Sequence, residues 1–159
     1  MHEEPPRLST RWLVRLAILA LLARNGPMHG YAIYKRLLEM FSRVKLISMS
    51  LVYTVLSELE KEGLIEAKGF EPDAPSGGRK LLAPTERGLV YLAEHGSGAW
   101  RLLADIAALI AEGEAQARLE LGDYGGLLNI AGDAARTASR FRDIASKLLP
   151  AREGSEEVR

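Results

Sequence analysis

The chain has 159 residues, of which 47% are hydrophobic and 26% are charged, a balance typical of a folded globular protein. Its 21 Lys and Arg residues are matched by 21 Asp and Glu residues, so any affinity for nucleic acid must come from local charge. Because the sequence contains no cysteine, it excludes disulfides, cysteine-ligated metals and thiol catalysis.

Neither a membrane span nor a secretion signal is indicated. The apolar run from Trp12 to Ala23 is interrupted by Arg15 and is shorter than the ~20 residues that a transmembrane helix needs. It also lacks a signal-peptide cleavage pattern, and we therefore expect a cytoplasmic protein. The net charge differs slightly between the two parts of the chain. Residues 1–95 hold 13 basic and 11 acidic residues, a net charge of +2, whereas residues 96–159 hold 8 basic and 10 acidic residues, a net charge of −2.

A loose polar tail is predicted over residues 1–8, and a helix follows it. Ser9 or Thr10 can cap this helix, which is expected to run to about Arg24. The Asn25-Gly26-Pro27 segment ends it, since Asn-Gly favours positive φ and proline cannot continue a helix.

A second helix is predicted from Met28 to about Phe41, followed by a short linker over residues 42–47. Four basic side chains project from outside the apolar face of this helix and from the linker: Lys35, Arg36, Arg43 and Lys45. The linker turns into a third helix, so the three segments together predict a helix-turn-helix.

The third helix, over Ser48 to Gly63, is the segment on which a functional interpretation depends. Ser48 or Ser50 can cap its start, and Gly63 can end it because glycine tolerates the left-handed conformation after a helix. Its apolar residues recur at helical spacing: Leu51, Val52, Val55, Leu56 and Leu59. Its other face carries mostly short, hydroxyl-bearing side chains: Ser50, Tyr53, Thr54, Ser57 and Lys61. Such a face is an ordinary solvated surface in most proteins, but it also suits a helix that enters the DNA major groove, and we interpret it as a recognition helix.

The pattern then changes to that of a β-hairpin. Strands are predicted over residues 64–70 and 79–83, joined by a loop over residues 71–78 that is rich in proline and glycine. Thr85 can cap a helix over residues 86–94. A helix-turn-helix followed by a two-stranded β wing is a winged helix, so the predicted fold is mainly α.

The remainder of the chain is predicted to form C-terminal dimerisation helices. Gly96-Ser97-Gly98 is the expected boundary between a winged-helix DNA-binding domain, residues 9–95, and a helical region, residues 98–150. A helix from Trp100 to Leu121 is apolar on two sides, so we expect it to pack on the first domain and on a second chain. Four of its side chains are candidates for the dimer interface: Trp100, Leu103, Ile106 and Ile110.

A final helix completes the prediction. Residues 122–126 break the preceding helix because they contain three glycines. The last helix is expected over residues 127–149, where apolar residues recur in a near-heptad pattern. Pro150 is expected to end it, and residues 151–159 to form a frayed tail.

Three segments, in order and at these separations, resemble a known family. Residues 25–31 contain the pattern G-P-x-H-G-Y, and residues 48–65 contain L-x-x-L-E-x-x-G-L. Residues 78–80, Gly-Arg-Lys, precede the T-x-x-G of residues 85–88. Together, over residues 16–92, they resemble the PadR family of winged helix-turn-helix transcriptional regulators.

This resemblance implies a homodimer, joined through C-terminal helices, that binds double-stranded DNA. It also implies a small aromatic effector as a possible ligand between such helices, at Trp100, Leu103, Ile106 and Ile110. Two departures from the family pattern concern DNA sequence preference. The family's Gly-Ser/Thr-Leu-Tyr-Pro is here Ser50–Thr54, without the glycine and the proline, and the aromatic pair of the wing strand is replaced by Leu81-Leu82. We predict a transcriptional repressor that acts on a near-palindromic operator.

Two sets of side chains are the candidates for DNA contact. Contacts to phosphates are expected from basic residues, namely Lys35, Arg43, Lys45, Arg79 and Lys80. Contacts to bases or to the sugar–phosphate backbone are expected from Ser50, Tyr53, Thr54 and Ser57. The alternatives are solvated surface cations in the first set and, for Tyr53, a half-buried core tyrosine.

Two other classes of function remain open from the sequence. A winged-helix adaptor that binds proteins instead of DNA is favoured by the zero net charge and by the acidic residues Glu58, Glu60 and Glu62. An enzyme would need converging nucleophiles, bases or metal ligands, and none is evident. We expect neither a metal nor a cofactor, and we expect His29 to be a turn or packing residue.

Overall fold

The computed structural model describes residues 9–41, 45–71 and 79–156, with side chains described as far as Leu148. Its helices and strands follow in this order: α1 (Thr10–Asn25), β1 (Met28–His29), α2 (Gly30–Met40), α3 (Met49–Lys61), β2 (Ile65–Glu71), β3 (Arg79–Pro84), α4 (Glu86–Leu121) and α5 (Tyr124–Glu156). The chain divides into two compact units between Trp100 and Arg101. Within the described ranges, no helix is long and apolar enough to cross a membrane.

Three predictions fall outside the described residues. These are the polar tail over residues 1–8, the part of the linker that contains Arg43, and the wing tip over residues 72–78.

The first unit has one hydrophobic core, to which α1, α2, α3 and the sheet all contribute. Its fully buried side chains include Ile18, Leu19, Leu22, Ile33, Leu37, Val52, Val55, Leu59 and Ile65. Burying a side chain of this size stabilises the fold by roughly 1.5–3 kcal/mol. The stripe predicted for the third helix therefore lies at the centre of the core.

The ends of α1 and α3 follow from their sequence. Ser9 accepts a hydrogen bond from the Trp12 backbone N–H at 3.1 Å, and Ser48 accepts one from Leu51 at the same distance. Gly63 adopts φ +71°, which allows the Leu64 N–H to reach back to the Leu59 carbonyl at 2.9 Å. Both predicted caps and the predicted glycine stop are confirmed.

The sheet has one more strand than the predicted two-stranded wing. Met28 and His29, expected to begin a helix, instead form β1, which pairs antiparallel with β3 through Met28↔Leu82 and His29↔Leu81. The strand order is β1-β3-β2, so the predicted hairpin is present and β3 is its central strand. The physical reason is long-range pairing, because β3 satisfies backbone groups that a helix start would leave without partners.

The junction between the wing and α4 explains the T-x-x-G pattern. The Thr85 hydroxyl donates to the Gly63 carbonyl at 2.6 Å and accepts the Gly88 N–H at 3.1 Å, so it caps α4 as predicted. A Cβ at Gly88 would lie 2.0 Å from the Leu64 carbonyl oxygen. Glycine at residue 88 therefore allows α4 to approach the start of β2 closely.

The prediction of separate helices over residues 86–94 and 100–121 is wrong, because the two are one helix. The helix α4 is continuous from Glu86 to Leu121 and passes through Gly96, Ser97 and Gly98. A helical glycine costs only about 1 kcal/mol relative to alanine, and the helix-favouring residues on both sides outweigh that cost.

The end of α4 and the start of α5 do lie in the predicted glycine-rich break. Gly122 has φ +71°, and Asp123 caps α5 by accepting the Gly126 N–H at 2.9 Å while pairing with Arg118. The two contacts hold the pKa of Asp123 below its ordinary value, the backbone hydrogen bond having the larger effect. The prediction that Pro150 ends the last helix is wrong, because α5 continues to Glu156. A proline removes one backbone donor, but turns on both sides of it can stay helical.

We expect Gly88→Ala to destabilise the protein by about 1–3 kcal/mol, since a methyl group would collide with backbone that cannot move independently. Gly98→Ala is the matched control, because nothing lies within 4 Å of a Cβ built there. It should be neutral or stabilising by up to about 1 kcal/mol. Chemical denaturation of both variants tests this, and equal stability of Gly88→Ala and wild type would contradict the close approach.

We expect Asp123→Ala to lower the melting temperature at pH 7. The pKa of Asp123 in the folded protein lies below its ordinary value of 3.8. The ionised Asp123 carboxylate therefore stabilises the folded state fully above pH 3.8, and this stabilisation is lost as the pH falls through the folded-state pKa. The difference between variant and wild type should therefore shrink in acid. Thermal unfolding followed by circular dichroism at several pH values measures it, with the exposed Glu112→Ala as control. A difference that does not depend on pH would argue against the ionised cap.

Candidate nucleic-acid interface

The helix α3 has one buried side and one exposed side. Val52, Val55, Leu56 and Leu59 are buried. The hydroxyl-bearing side chains predicted to face outward are all exposed: Ser50, Tyr53, Thr54 and Ser57. Their arrangement on one side is thus as predicted, whereas their contact with DNA stays a prediction.

The ring of Tyr53 lies close to Gly30, the first residue of α2. The Tyr53 side chain is 44% exposed. A Cβ at Gly30 would lie 3.0 Å from Tyr53 Cε1 and 3.4 Å from Leu56 Cδ1, so the Tyr53 ring rests against the start of α2. Tyr53 is therefore a surface residue whose ring lies along one edge against the start of α2.

A cavity of about 700 Å³ lies where α3, the start of α2 and β3 meet. Two tyrosine rings and three cationic side chains are among the groups that line it: Tyr31, Tyr53, Lys61, Arg79 and Lys80. Aromatic rings beside cations form a surface suited to polyanions whose sugars or bases offer flat apolar faces.

Two of the acids near α3 are neutralised by α1. Glu58 pairs with Arg11 at 2.5 Å and lies 3.9 Å from Arg15. Arg15 also donates hydrogen bonds to Glu62 from its two terminal guanidinium nitrogens, Nη1 and Nη2, and its guanidinium lies 5.5 Å from the centroid of the Tyr91 ring. The Glu62 hydrogen bond is the main reason that the pKa of Arg15 is raised above its ordinary value. These acids belong to a charge network that ties α3 to α1.

The third acid, Glu60, binds the wing. Its carboxylate accepts a hydrogen bond from Lys80 Nζ at 2.7 Å, with both side chains partly exposed. This contact joins the C-terminal half of α3 to β3. It also means that Lys80, predicted as a phosphate contact, shares its charge with an acid in this structure.

Arg79 and His29 connect the wing to the start of α2. His29 Nδ1 accepts the Ala32 N–H at 3.1 Å and so caps α2. Its Nε2 lies 3.4 Å from Arg79 and 3.5 Å from Glu71, and the Arg79 guanidinium lies 5.9 Å from the centroid of the Tyr31 ring. His29, predicted as a turn or packing residue, instead lies in β1 and caps α2, and its link to Arg79 needs the β1–β3 pairing, which no local pattern signals.

Three further basic residues are predicted to contact phosphates: Lys35, Arg43 and Lys45. Lys35 is exposed on α2, with its Nζ 5.9 Å from the centroid of the Tyr31 ring, on which Arg79 also lies. Lys45 is exposed in the segment before α3, and Arg43 lies outside the described residues. The structure therefore brings Lys35 and Arg79 to one aromatic ring and leaves Lys45 apart from them.

The candidates for the dimer interface are exposed in the single chain. The exposed fraction is 49% for Trp100, 40% for Leu103, 38% for Ile106 and 63% for Ile110. Within the described part of the chain, no group of three or more His, Asp or Glu side chains is arranged to hold a metal ion.

Comparison with known proteins agrees with this geometry. Residues 18–94 match the model of the transcriptional regulator PadR-like family. A conserved protein described as a potential transcriptional factor is similar in structure, with 28% identity, coverage of 75% of this chain and 99% of that chain, and a TM-score of 0.52. A PadR-like transcriptional regulator from Bacillus cereus has 21% identity, coverage of 63% of this chain and 93% of that chain, and a TM-score of 0.52, and this likeness shows the fold alone.

No curated protein matches the chain. The family match covers the segment from α1 to the first turns of α4, which contains α3, the wing and the cavity between them. Residues 18–94, which contain most of the candidate interface, are therefore similar to the transcriptional regulator PadR-like family.

Proposed function

We propose that this protein is a homodimeric repressor that binds double-stranded DNA at a near-palindromic operator. In this proposal the exposed side of α3 enters the major groove, where Ser50 and Thr54 contact base edges and Tyr53 and Ser57 contact bases or the backbone. The wing lies over the neighbouring minor groove. Phosphates are contacted by the predicted cations: Lys35, Arg43, Lys45, Arg79 and Lys80.

The observation that carries the proposal is the division of α3 into two sides. One stripe of this helix is buried in the core, so the helix cannot rotate, and the opposite side is exposed and short-chained. A major groove about 12 Å wide admits a helix whose outward side chains are of this size.

The charge distribution supports the same conclusion. Each of the three acids at or next to α3 belongs to an ion pair. Glu58 and Glu62 pair with arginines of α1, and Glu60 pairs with Lys80. Paired acids repel phosphates much less than isolated acids do. The zero net charge of the chain is therefore compatible with a locally attractive DNA surface.

A homodimer would explain the exposed apolar side chains of the second unit. Leu103, Ile106, Leu109 and Ile110 are all between 38% and 69% exposed in the single chain. A second chain that covers them would place two copies of α3 against successive major grooves, about 34 Å apart on one side of B-DNA. An aromatic effector that binds near Trp100 would then act by changing this spacing.

The adaptor alternative predicts a different result in one experiment. On random duplex DNA, a DNA-binding protein should show non-specific affinity that falls steeply between low and moderate salt, because each neutralised phosphate releases counterions. An adaptor should show no such binding at either salt concentration. Electrophoretic mobility shifts at two ionic strengths distinguish the two functions.

We expect selection from a random DNA pool to enrich a near-palindrome whose half-sites are about 10 base pairs apart or a multiple of that spacing. On the enriched site, Thr54→Ala should weaken binding by about 10-fold while leaving affinity for random DNA unchanged, since it removes a base contact and no phosphate contact. Ser97→Ala, an exposed hydroxyl on α4, is the matched control and should bind as wild type does. Enrichment of no sequence at all would reject the repressor proposal.

We expect Glu60→Gln to raise DNA affinity at low salt. The substitution removes the carboxylate that holds Lys80, so Lys80 can neutralise one further phosphate and the slope of log affinity against log salt should steepen by about 0.9. Glu94→Gln on α4 removes the same charge at an exposed position and serves as control. If Glu60→Gln instead weakens binding, Glu60 holds Lys80 in its binding position and the restraint interpretation is wrong.

A further inference from the structure

An irregularity in the wing changes the direction of one aromatic side chain. The β2–β3 ladder runs regularly from Ile65↔Pro84 to Ala67↔Leu82, and it resumes at Phe70↔Lys80. Two residues of β2 thus oppose one residue of β3, which is a β-bulge. Gly69, one of the two, has φ +118°, a conformation that side-chain-bearing residues rarely adopt.

The bulge moves Phe70 from one face of the hairpin to the other. Without the extra residue, continuing the register from Ala67↔Leu82 would pair Phe70 with Arg79. With it, Phe70 pairs with Lys80, and directly paired residues of antiparallel strands point to the same face. That face also carries Leu82, which is buried in the core, and it is the face from which Lys80 reaches Glu60 on α3.

Phe70 is nevertheless not a core residue. Its side chain is 63% exposed, whereas Leu82 on the same face is 3% exposed. The bulge therefore directs a large apolar ring toward the side of the wing that adjoins α3 without burying it. A solvated aromatic ring at this place contributes little to the core, so its orientation calls for a different explanation.

Exposed basic side chains surround Phe70, and two of them belong to ion pairs, Lys80 with Glu60 and Lys68 with Glu66. Lys80 lies directly opposite it across the ladder, Arg79 is the next residue of β3, and Lys68 lies in the bulge itself. An exposed apolar ring among cations suits a partner that is polyanionic at its edges and apolar inside. The minor groove of DNA fits that description, since phosphates border a floor of base edges and walls of deoxyribose.

We propose that Phe70 is a minor-groove contact of the wing, with its ring packed against deoxyribose next to the half-site occupied by α3. This inference rests on the proposed DNA-binding function. The bulge at Lys68–Gly69 sets the direction of the ring, and the burial of Leu82 and Ala83 in the core keeps the wing beside α3. The contact is apolar, so it adds affinity without neutralising a phosphate.

The test compares Phe70→Ala with wild type on the site selected from the random pool. We expect affinity to fall about tenfold, the effect of losing the apolar contact of one aromatic ring, while the salt dependence of binding keeps its slope. Hydroxyl-radical footprinting, which reports on sugars exposed in the minor groove, should lose protection only at the positions flanking each half-site. Phe70→Leu should restore much of the affinity and the protection.

One control variant and the binding of wild type separate the possible failures. Val90→Ala changes an apolar side chain on α4 that is 49% exposed, and it should leave both affinity and footprint unchanged. If wild type binds no DNA, the proposed function fails and this inference fails with it. If wild type binds and Phe70→Ala gives the same footprint at saturating protein, the inference about Phe70 alone is overturned, whatever the stability of the variant.

Discussion

The structure of the first unit depends on the burial of one stripe of α3. Val52, Val55, Leu56 and Leu59 occupy the centre of the core, so the rotation of α3 about its own axis is set by hydrophobic packing. Everything on the opposite side of the helix is consequently presented outward, in a direction that the core determines. The functional surface is thus a by-product of how the inside of the protein is filled.

Electrostatics adds a second level of organisation to this packing. Three acids at or next to α3 could have made its surroundings repulsive to a duplex, but each is engaged by a cation of α1 or β3. Exposed ion pairs contribute little to stability, about 0–1 kcal/mol each. Their larger consequence here is that none of these three acids stands unpaired beside the exposed side of α3.

Local patterns in the sequence predicted the parts of the fold that local physics determines. The apolar stripe of α3, the Ser9, Ser48 and Thr85 caps and the stop at Gly63 all follow from spacing and side-chain chemistry within a few residues. The hairpin of the wing was also predictable, because its strands are separated by a recognisable loop.

Features that depend on distant partners were not predictable in this way. The strand β1 exists because Met28 and His29 meet a strand more than fifty residues later, and the Glu60–Lys80 pair joins α3 to that same strand. The continuation of α4 through Gly96 and Gly98 shows the converse error, in which residues that often end helices were given too much weight. The bulge before Phe70 shifts the pairing register of β2 and β3, and the preferences of single residues do not predict register.

The contact between Gly30 and Tyr53 has an evolutionary consequence. A methyl group at residue 30 would press on the edge of the Tyr53 ring. The size of the residue at position 30 therefore limits the size of the side chain at position 53. Homologous chains that acquire a bulkier residue at the start of α2 must therefore reduce or tilt the aromatic on α3. In this sense, a glycine at the start of α2 limits the size and tilt of the aromatic side chain that α3 can present on its exposed side.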